Sequence, residues 1–240
     1  MNYFYIFLIG LVVSTSAVHS QSAPDHESFS KLLQNYVDES GNVNYQKFKA
    51  NEQKLDKYLN ILKNNPPQNS WSENEKKAYL INAYNAFTIK LILMNYPVES
   101  IKDIGGFFSS PFSHEFANIG GEVYSLDDIE KGMLLKMNDP RVHFAINCAS
   151  ESCPKLWNEA YVASKLDQQL DKAAQSFINS DKNKLSKSKV ELSKIFKWYA
   201  SDFESEGRTV IDFINTYSNL KINEDASISY LDYSWELNEQ

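Results

Sequence analysis

Cysteine is nearly absent from this chain of 240 residues, which holds only Cys148 and Cys153. None lies near the start, so no residue is available at a leader cleavage site to carry lipid. Beyond the first twenty residues no apolar run reaches the ~20 residues that a membrane-crossing helix needs. No internal repeat, low-complexity block or long Gly/Ser linker interrupts the chain, and its length suits one domain. Basic residues are also in deficit, 24 Lys and Arg against 31 Asp and Glu, for a net charge of −7. A surface of that sign repels phosphate backbones, and with no basic stripe it excludes nucleic acid as a partner. The acidic pairs Asp38-Glu39 and Asp127-Asp128 lack the alternating oxygen-ligand spacing of a calcium loop, and no cofactor or metal is implied.

What is present begins with an uncharged apolar run, Tyr3 to Val13, followed by small residues, and residues 1–20 carry no Asp, Glu, Lys or Arg. That is the shape of a signal peptide cleaved near Ala17 or Ser20, which predicts a secreted or periplasmic protein. The organisation read from the sequence is a leader over 1–20, a flexible lead-in over 21–27 and a single domain over 28–240.

Helical patterns cover Phe29 to Val37 and Gln46 to Leu62, flanking the turn Glu39-Ser40-Gly41-Asn42, and Pro66-Pro67 ends the second. Ser72 followed by Glu75 is a capping-box start. The helix it opens should run to about Asn95, stopped by Pro97, and is apolar on nearly every side, as a central core helix is. Gly105-Gly106 open an aromatic loop to Phe116, and Gly120-Gly121 read as a hairpin turn. Ser125 with Asp128 caps a short helix to about Leu135. The run Arg141 to Asn147 reads as a strand, Lys165 to Asn179 as a helix capped by Ser164, Leu185 to Leu192 as a hairpin, Thr209 to Tyr217 as a helix and Ser227 to Trp235 as a terminal strand. Together these predict an α+β fold, a helix-rich single domain around a small, mainly antiparallel sheet.

The segment HFAINCASESCP at 143–154 carries most of the residue types that do chemistry. With AYLINAYNAFTIKLIL at 78–93, SLDDIEKGML at 125–134, LSKIFKWYASDF at 192–203 and YSWELN at 233–238, the chain resembles the domain-of-unknown-function 547 family. The resemblance spans nearly all of the chain after the leader. It marks Asn82, Asn85, His143, Asn147, Cys148, Cys153 and Pro154 as matched positions and implies no activity. Ser234 departs from the pattern, standing where an acid is expected.

Read from their chemistry, Cys148 and Cys153 enclose a loop that a disulfide would staple, worth about 2 kcal/mol on chain-entropy grounds. The same two thiols would also serve a redox or nucleophilic site, or bind zinc with His143 or His114. If residues 143–148 are extended, five steps of ~3.3 Å put the Cα atoms of His143 and Cys148 about 16 Å apart, too far for a direct dyad. His143 should then find its partner elsewhere. Asn82 and Asn85 share a face of the core helix and either tie it to irregular backbone, such as the 105–116 loop, or orient His143 or a ligand. His114 is either a solvated loop residue or an acid-base group on a closing loop. Lys194, Lys197 and Asp202 border an aromatic cluster that reads either as an anionic-ligand anchor or as an amphipathic helix with extended lysine stems.

Three functions are compatible with this inventory. One is a hydrolase or acyl transferase of papain-like or transglutaminase-like layout, with catalytic residues drawn from His143, Cys148 and Cys153. Another is a module binding a small molecule or peptide through Asn82, Asn85, Asn147 and His114. The third is a thiol-disulfide protein using Cys148 and Cys153.

Overall fold

The computed structural model describes residues 22–105 and 110–240, so the leader read over 1–20 and part of the aromatic loop lie outside the described residues. Helix α1 spans Glu27–Tyr36, α2 Tyr45–Lys49, α3 Glu52–Asn64 and α4 Glu73–Asn95. Among the described residues, no helix is long and apolar enough to cross a membrane. The single helix read over 46–62 is two, because Asn51 breaks it. Its side chain takes the Lys47 carbonyl at 3.1 Å while its own carbonyl starts α3 by accepting the Lys54 N–H.

Helix α4 begins as its sequence dictates, with Ser72 accepting the Glu75 N–H and Glu75 accepting the Ser72 N–H. It ends before the cis Tyr96–Pro97 bond. Sixteen of its residues are buried, which makes it the axis of the larger of two hydrophobic clusters. The lead-in over 21–27 is anchored at its end, where His26 is buried and its Nδ1 lies 2.7 Å from the Tyr58 hydroxyl.

After α4 come the antiparallel pair β1, Ala117–Ile119, and β2, Glu122–Tyr124, joined by Gly120-Gly121 at positive φ. Ser125 and Asp128 form the cap read from sequence, at 2.9 and 3.1 Å. The turn it opens, Asp128–Leu134, is π-helical, its hydrogen bonds spanning one residue more than those of an α-helix. Helix α5 spans Leu166–Ile178. Strands β3, Lys184–Leu185, and β4, Lys189–Leu192, form the expected antiparallel hairpin. Helices α6, Ile195–Trp198, α7, Ala200–Phe203, and α8, Val210–Tyr217, then return the chain to β5, Ser227–Tyr230. A crossover of this length lets β5 pair parallel to β4. The fold is helix-rich α+β, with its strands in two small sheets rather than one.

The run Arg141 to Asn147 is not a strand. Residues Pro140–Phe144 form a 3-10 turn. Asp139 accepts the Arg141 N–H on its side chain and the Val142 N–H on its carbonyl, and Pro140 occupies the first helical position, where its missing N–H costs nothing. Apolar alternation suggested a strand, but Val142, His143, Phe144 and Ala145 are all buried. The segment lies between the two hydrophobic clusters: Val142, Ala145 and Ile146 pack in the larger, and Phe144 packs with α5, β4 and α8 in the smaller.

Candidate functional site

Two asparagines of α4 hold the segment in place. Asn85 donates from Nδ2 to the Ala145 carbonyl at 2.9 Å and accepts the Asn147 N–H on Oδ1 at 2.8 Å. Asn82 makes the same paired contact with Tyr161, at 2.7 and 2.9 Å. Each amide satisfies main chain that has no strand partner, so both act as ties, directed at 145–147 and 161 rather than at the 105–116 loop. Asn147 continues the pattern, accepting the Ala149 N–H at 2.9 Å and donating to the Pro154 carbonyl at 2.8 Å. It thereby closes the loop that carries both cysteines. Ala149 sits inside this loop at φ 58, a left-handed conformation that a residue with a Cβ adopts at a cost. The C-terminal segment straps the loop from outside, with the Glu151 N–H on the Glu236 carbonyl at 2.7 Å and the Ser234 N–H on Ser152 Oγ at 2.8 Å.

With residues 143–147 turned rather than extended, His143 and Cys148 line one cavity of about 240 Å³. The separation inferred from an extended segment does not apply. Cys153 and Pro154 line it too, with Tyr84 from α4, Glu130 from the π turn, Trp198 and Tyr199 at the end of α6, and Tyr233 and Trp235 from the C-terminal segment.

The partner of His143 is Asp202 on α7, whose Oδ2 lies 2.7 Å from Nε2, not Asn82 or Asn85. The Tyr199 ring covers the imidazole with centroids 4.0 Å apart. The hydrogen bond from His143 holds the Asp202 carboxyl below its ordinary range.

Cys148 and Cys153 are free thiols in this structure, with sulfurs 2.7 Å apart against about 2.05 Å for a disulfide bond. The covalent staple inferred from the sequence is therefore not formed here. Cys153 is buried and its sulfur accepts the Cys148 N–H at 2.9 Å. Cys148 is partly exposed, with Ser150 Oγ at 3.2 Å and the Tyr233 hydroxyl at 3.3 Å from its sulfur. Burial works against a Cys148 thiolate. Hydrogen bonds from Cys153, Ser150 and Tyr233 outweigh it and bring the thiol down to about 7. Burial and the neighbouring Cys148 sulfur push Cys153 well up.

His114 is not brought to this cavity; it is exposed and stacks on Phe116 at 6.1 Å. Lys194 and Lys197 also stay outside, near Asp232 and the Tyr230 ring. Ser234 lies outside the C-terminal wall's side chains and serves the strap through its main chain, its N–H on Ser152 Oγ at 2.8 Å and its carbonyl accepting the Ser152 N–H at 3.4 Å. Among the described residues no group of three or more His, Cys, Asp or Glu is placed to hold a metal ion. Of the aromatic cluster read around Phe196 to Phe203, Trp198 and Tyr199 do line the cavity, whereas sequence reasoning missed Glu130, Tyr84, Tyr233 and Trp235. The π turn that aims Glu130 has no signature in a single sequence, and Tyr84 reads simply as core.

Fold and cavity together define a helix-rich α+β protein with a paired-thiol, aromatic-walled site. Residues 68–178, a little under half of the chain, match the model of the family described as "Protein of unknown function, DUF547". The match includes His143, Cys148 and Cys153, while Asp202, Trp198, Tyr199, Tyr233 and Trp235 come from beyond it. No curated protein and no solved structure matches the chain.

Proposed function

We propose that the cavity is the active site of a cysteine-dependent hydrolase or acyl transferase, in which Cys148 is the nucleophile, His143 the acid-base group and Asp202 the residue that orients His143. The observation that carries this reading is the placement of a partly exposed thiol, lowered to about 7, in the same cavity as a histidine held by a carboxylate. A thiolate formed near neutral pH is the reactive form of cysteine, and a carboxylate-held imidazole is suited to move the proton. In the proposed cycle the Cys148 sulfur adds to an acyl carbon and the bond to the leaving group breaks, with His143 giving that group a proton. Water or another acceptor then adds to the thioester and returns its proton to His143, releasing the Cys148 thiolate. The leader read over 1–20 directs this activity outside the cytoplasm.

A second reading is favoured by the 2.7 Å approach of the sulfurs. Here Cys148 attacks a substrate disulfide and Cys153 then displaces it, leaving a Cys148–Cys153 disulfide and two substrate thiols. Assay of the full chain on a panel of activated esters and thioesters, and separately on a small disulfide, separates the two. Acyl chemistry predicts that Cys148→Ser abolishes ester turnover, while Cys153→Ser, whose hydroxyl still donates to the Cys148 sulfur, keeps most of it. Dithiol chemistry predicts that either serine abolishes catalytic disulfide reduction at every pH. Ester turnover that survives Cys148→Ser would sink the first reading.

A further inference from the structure

Glu130 is a buried carboxylate with no salt-bridge partner among the described residues. It is 5% exposed and lines the cavity, and among the described residues its carboxylate takes one hydrogen bond, from the Tyr199 hydroxyl at 2.6 Å. Among the described residues it forms no ion pair, and the neighbouring Lys131 is engaged with Asp127 at 2.7 Å. A carboxylate taken out of water is costly unless a positive charge compensates it, and one neutral hydroxyl does not do so. Lys131 pairs with Asp127 and also feels Glu130, so of these three charged side chains lining the cavity two carboxylates share one ammonium and a negative excess remains.

A second, independent feature lies beside it. Tyr84 is 2% exposed, lines the same cavity, and its hydroxyl has no hydrogen-bond partner among the described residues. Burial first, then the nearby Glu130 charge, push this phenol well up, so it remains a protonated donor waiting for an acceptor. The remaining wall is a platform of Trp198, Tyr233 and Trp235, with centroids 4.8, 4.9 and 6.0 Å apart, and Trp198 is 48% exposed. Indole and phenol faces attract ammonium groups. Lys102 Nζ already sits 4.0 Å over the Trp235 ring, so this platform accepts one.

The geometry points to a cation subsite, in which the cavity takes an organic ammonium against Glu130 between aromatic walls, with Tyr84 donating to an acceptor elsewhere on the same molecule. A metal ion fits less well, since a single carboxylate supplies too few oxygens for a hard cation. This deepens the acyl-transfer reading by naming its substrate class, an amine-bearing acyl donor or acceptor, and rests on that reading only for which atom reacts.

The test uses the full chain as the Cys148→Ala variant, so that binding is read apart from thiol chemistry, with Trp198 and Trp235 fluorescence as the signal. Benzylamine, benzyl alcohol and benzoate are titrated at pH 7.5. Benzylamine should bind at least tenfold more tightly than the alcohol, and benzoate weakest of the three. Adding Glu130→Gln should erase the preference for the amine while leaving alcohol binding in place. Equal binding of amine and alcohol, or a preference that survives Glu130→Gln, overturns the proposal. Should Glu130→Gln fail to fold, the order of the three probes decides alone, and any order other than amine first overturns it. Because Cys148 is absent throughout, failure of the catalytic reading leaves this result standing, and the reverse also holds.

Discussion

The side-chain oxygen of Asn85 accepts the main-chain N–H of Asn147 at 2.8 Å, one residue before Cys148. The core helix thus positions Cys148 through a side-chain amide standing in for a strand edge. Asn85→Ala would leave the Asn147 N–H and the Ala145 carbonyl buried and unpaired, at a cost of about 2 to 4 kcal/mol. Urea unfolding should show that loss for Asn85→Ala and a comparable one for Asn82→Ala, which orphans Tyr161 in the same way. The two should differ at the site. Only Asn85→Ala should change the rate at which iodoacetamide alkylates Cys148, because only Asn85 holds the loop that carries it.

The thiol itself gives a second prediction. Alkylation of Cys148 should rise with pH around a midpoint near 7, because hydrogen bonds from Cys153, Ser150 and Tyr233 favour the thiolate over the opposing effect of burial. Removing a donor weakens the charged form and moves the midpoint upward. Tyr233→Phe deletes the contact at 3.3 Å and should raise it by several tenths of a pH unit to about one, as loss of one charge-assisted hydrogen bond implies. Cys153→Ser should move it less, since a serine hydroxyl still donates. A downward shift in Tyr233→Phe would contradict this account of the site.

Elements whose signals are local were legible in the sequence. The Ser72–Glu75 box, the Gly120-Gly121 hairpin, the Ser125–Asp128 cap and the Pro97 stop each act within a few residues, and each falls where its sequence signal lies. The 141–147 segment, which reads as a strand, differs in the structure for a physical reason. Its alternating apolar residues are buried on both sides, between two clusters, so periodicity carried no information about pairing. The geometry of His143 could not be read either. Asp202 is 59 residues away in sequence, on a short helix between loops, and only the packing of α7 against the 3-10 turn brings it to 2.7 Å. The pairing of Cys148 with Cys153 was legible as proximity, because five residues of chain keep them near; their protonation states depend on Ser150 and Tyr233.

Gly41 supplies a third prediction, at a turn that underlies the site. Its φ is 92, and a Cβ there would lie 2.5 Å from Lys155 Cβ and 2.9 Å from the Leu156 nitrogen. Its carbonyl also accepts from Asn238, which in turn approaches Asn147 at 3.5 Å. Gly41→Ala adds left-handed backbone strain to a main-chain clash that no rotamer relieves, so it should cost about 2 to 4 kcal/mol. Denaturant unfolding measures it. Gly121→Ala is the control: its φ is 93 but nothing lies within 4 Å, so it should incur the conformational penalty alone, about 1 to 2 kcal/mol.

The last prediction concerns acid sensitivity and the buried His26. Burial depresses this imidazole from 6.5 to about 4, with Asp25 opposing the shift only in part. The neutral ring is fixed by the Tyr58 hydroxyl at 2.7 Å and edge contacts to Tyr58 and Tyr79. Above pH 6.5 the imidazole is neutral in both folded and unfolded chains and contributes no pH dependence. Between 6.5 and 4 the unfolded chain binds a proton that the folded chain refuses, so stability falls as the pH falls. The full loss, for a shift of this size, is about 3 kcal/mol. Urea midpoints measured at pH 7.5, 6 and 4.5 should therefore decline steadily in the native sequence. His26→Gln should start lower at pH 7.5, having lost ring packing, and decline less across the same interval, since carboxylates held below their ordinary range begin to matter only toward the acid end. Parallel declines in the two proteins would show that His26 does not set the acid limit.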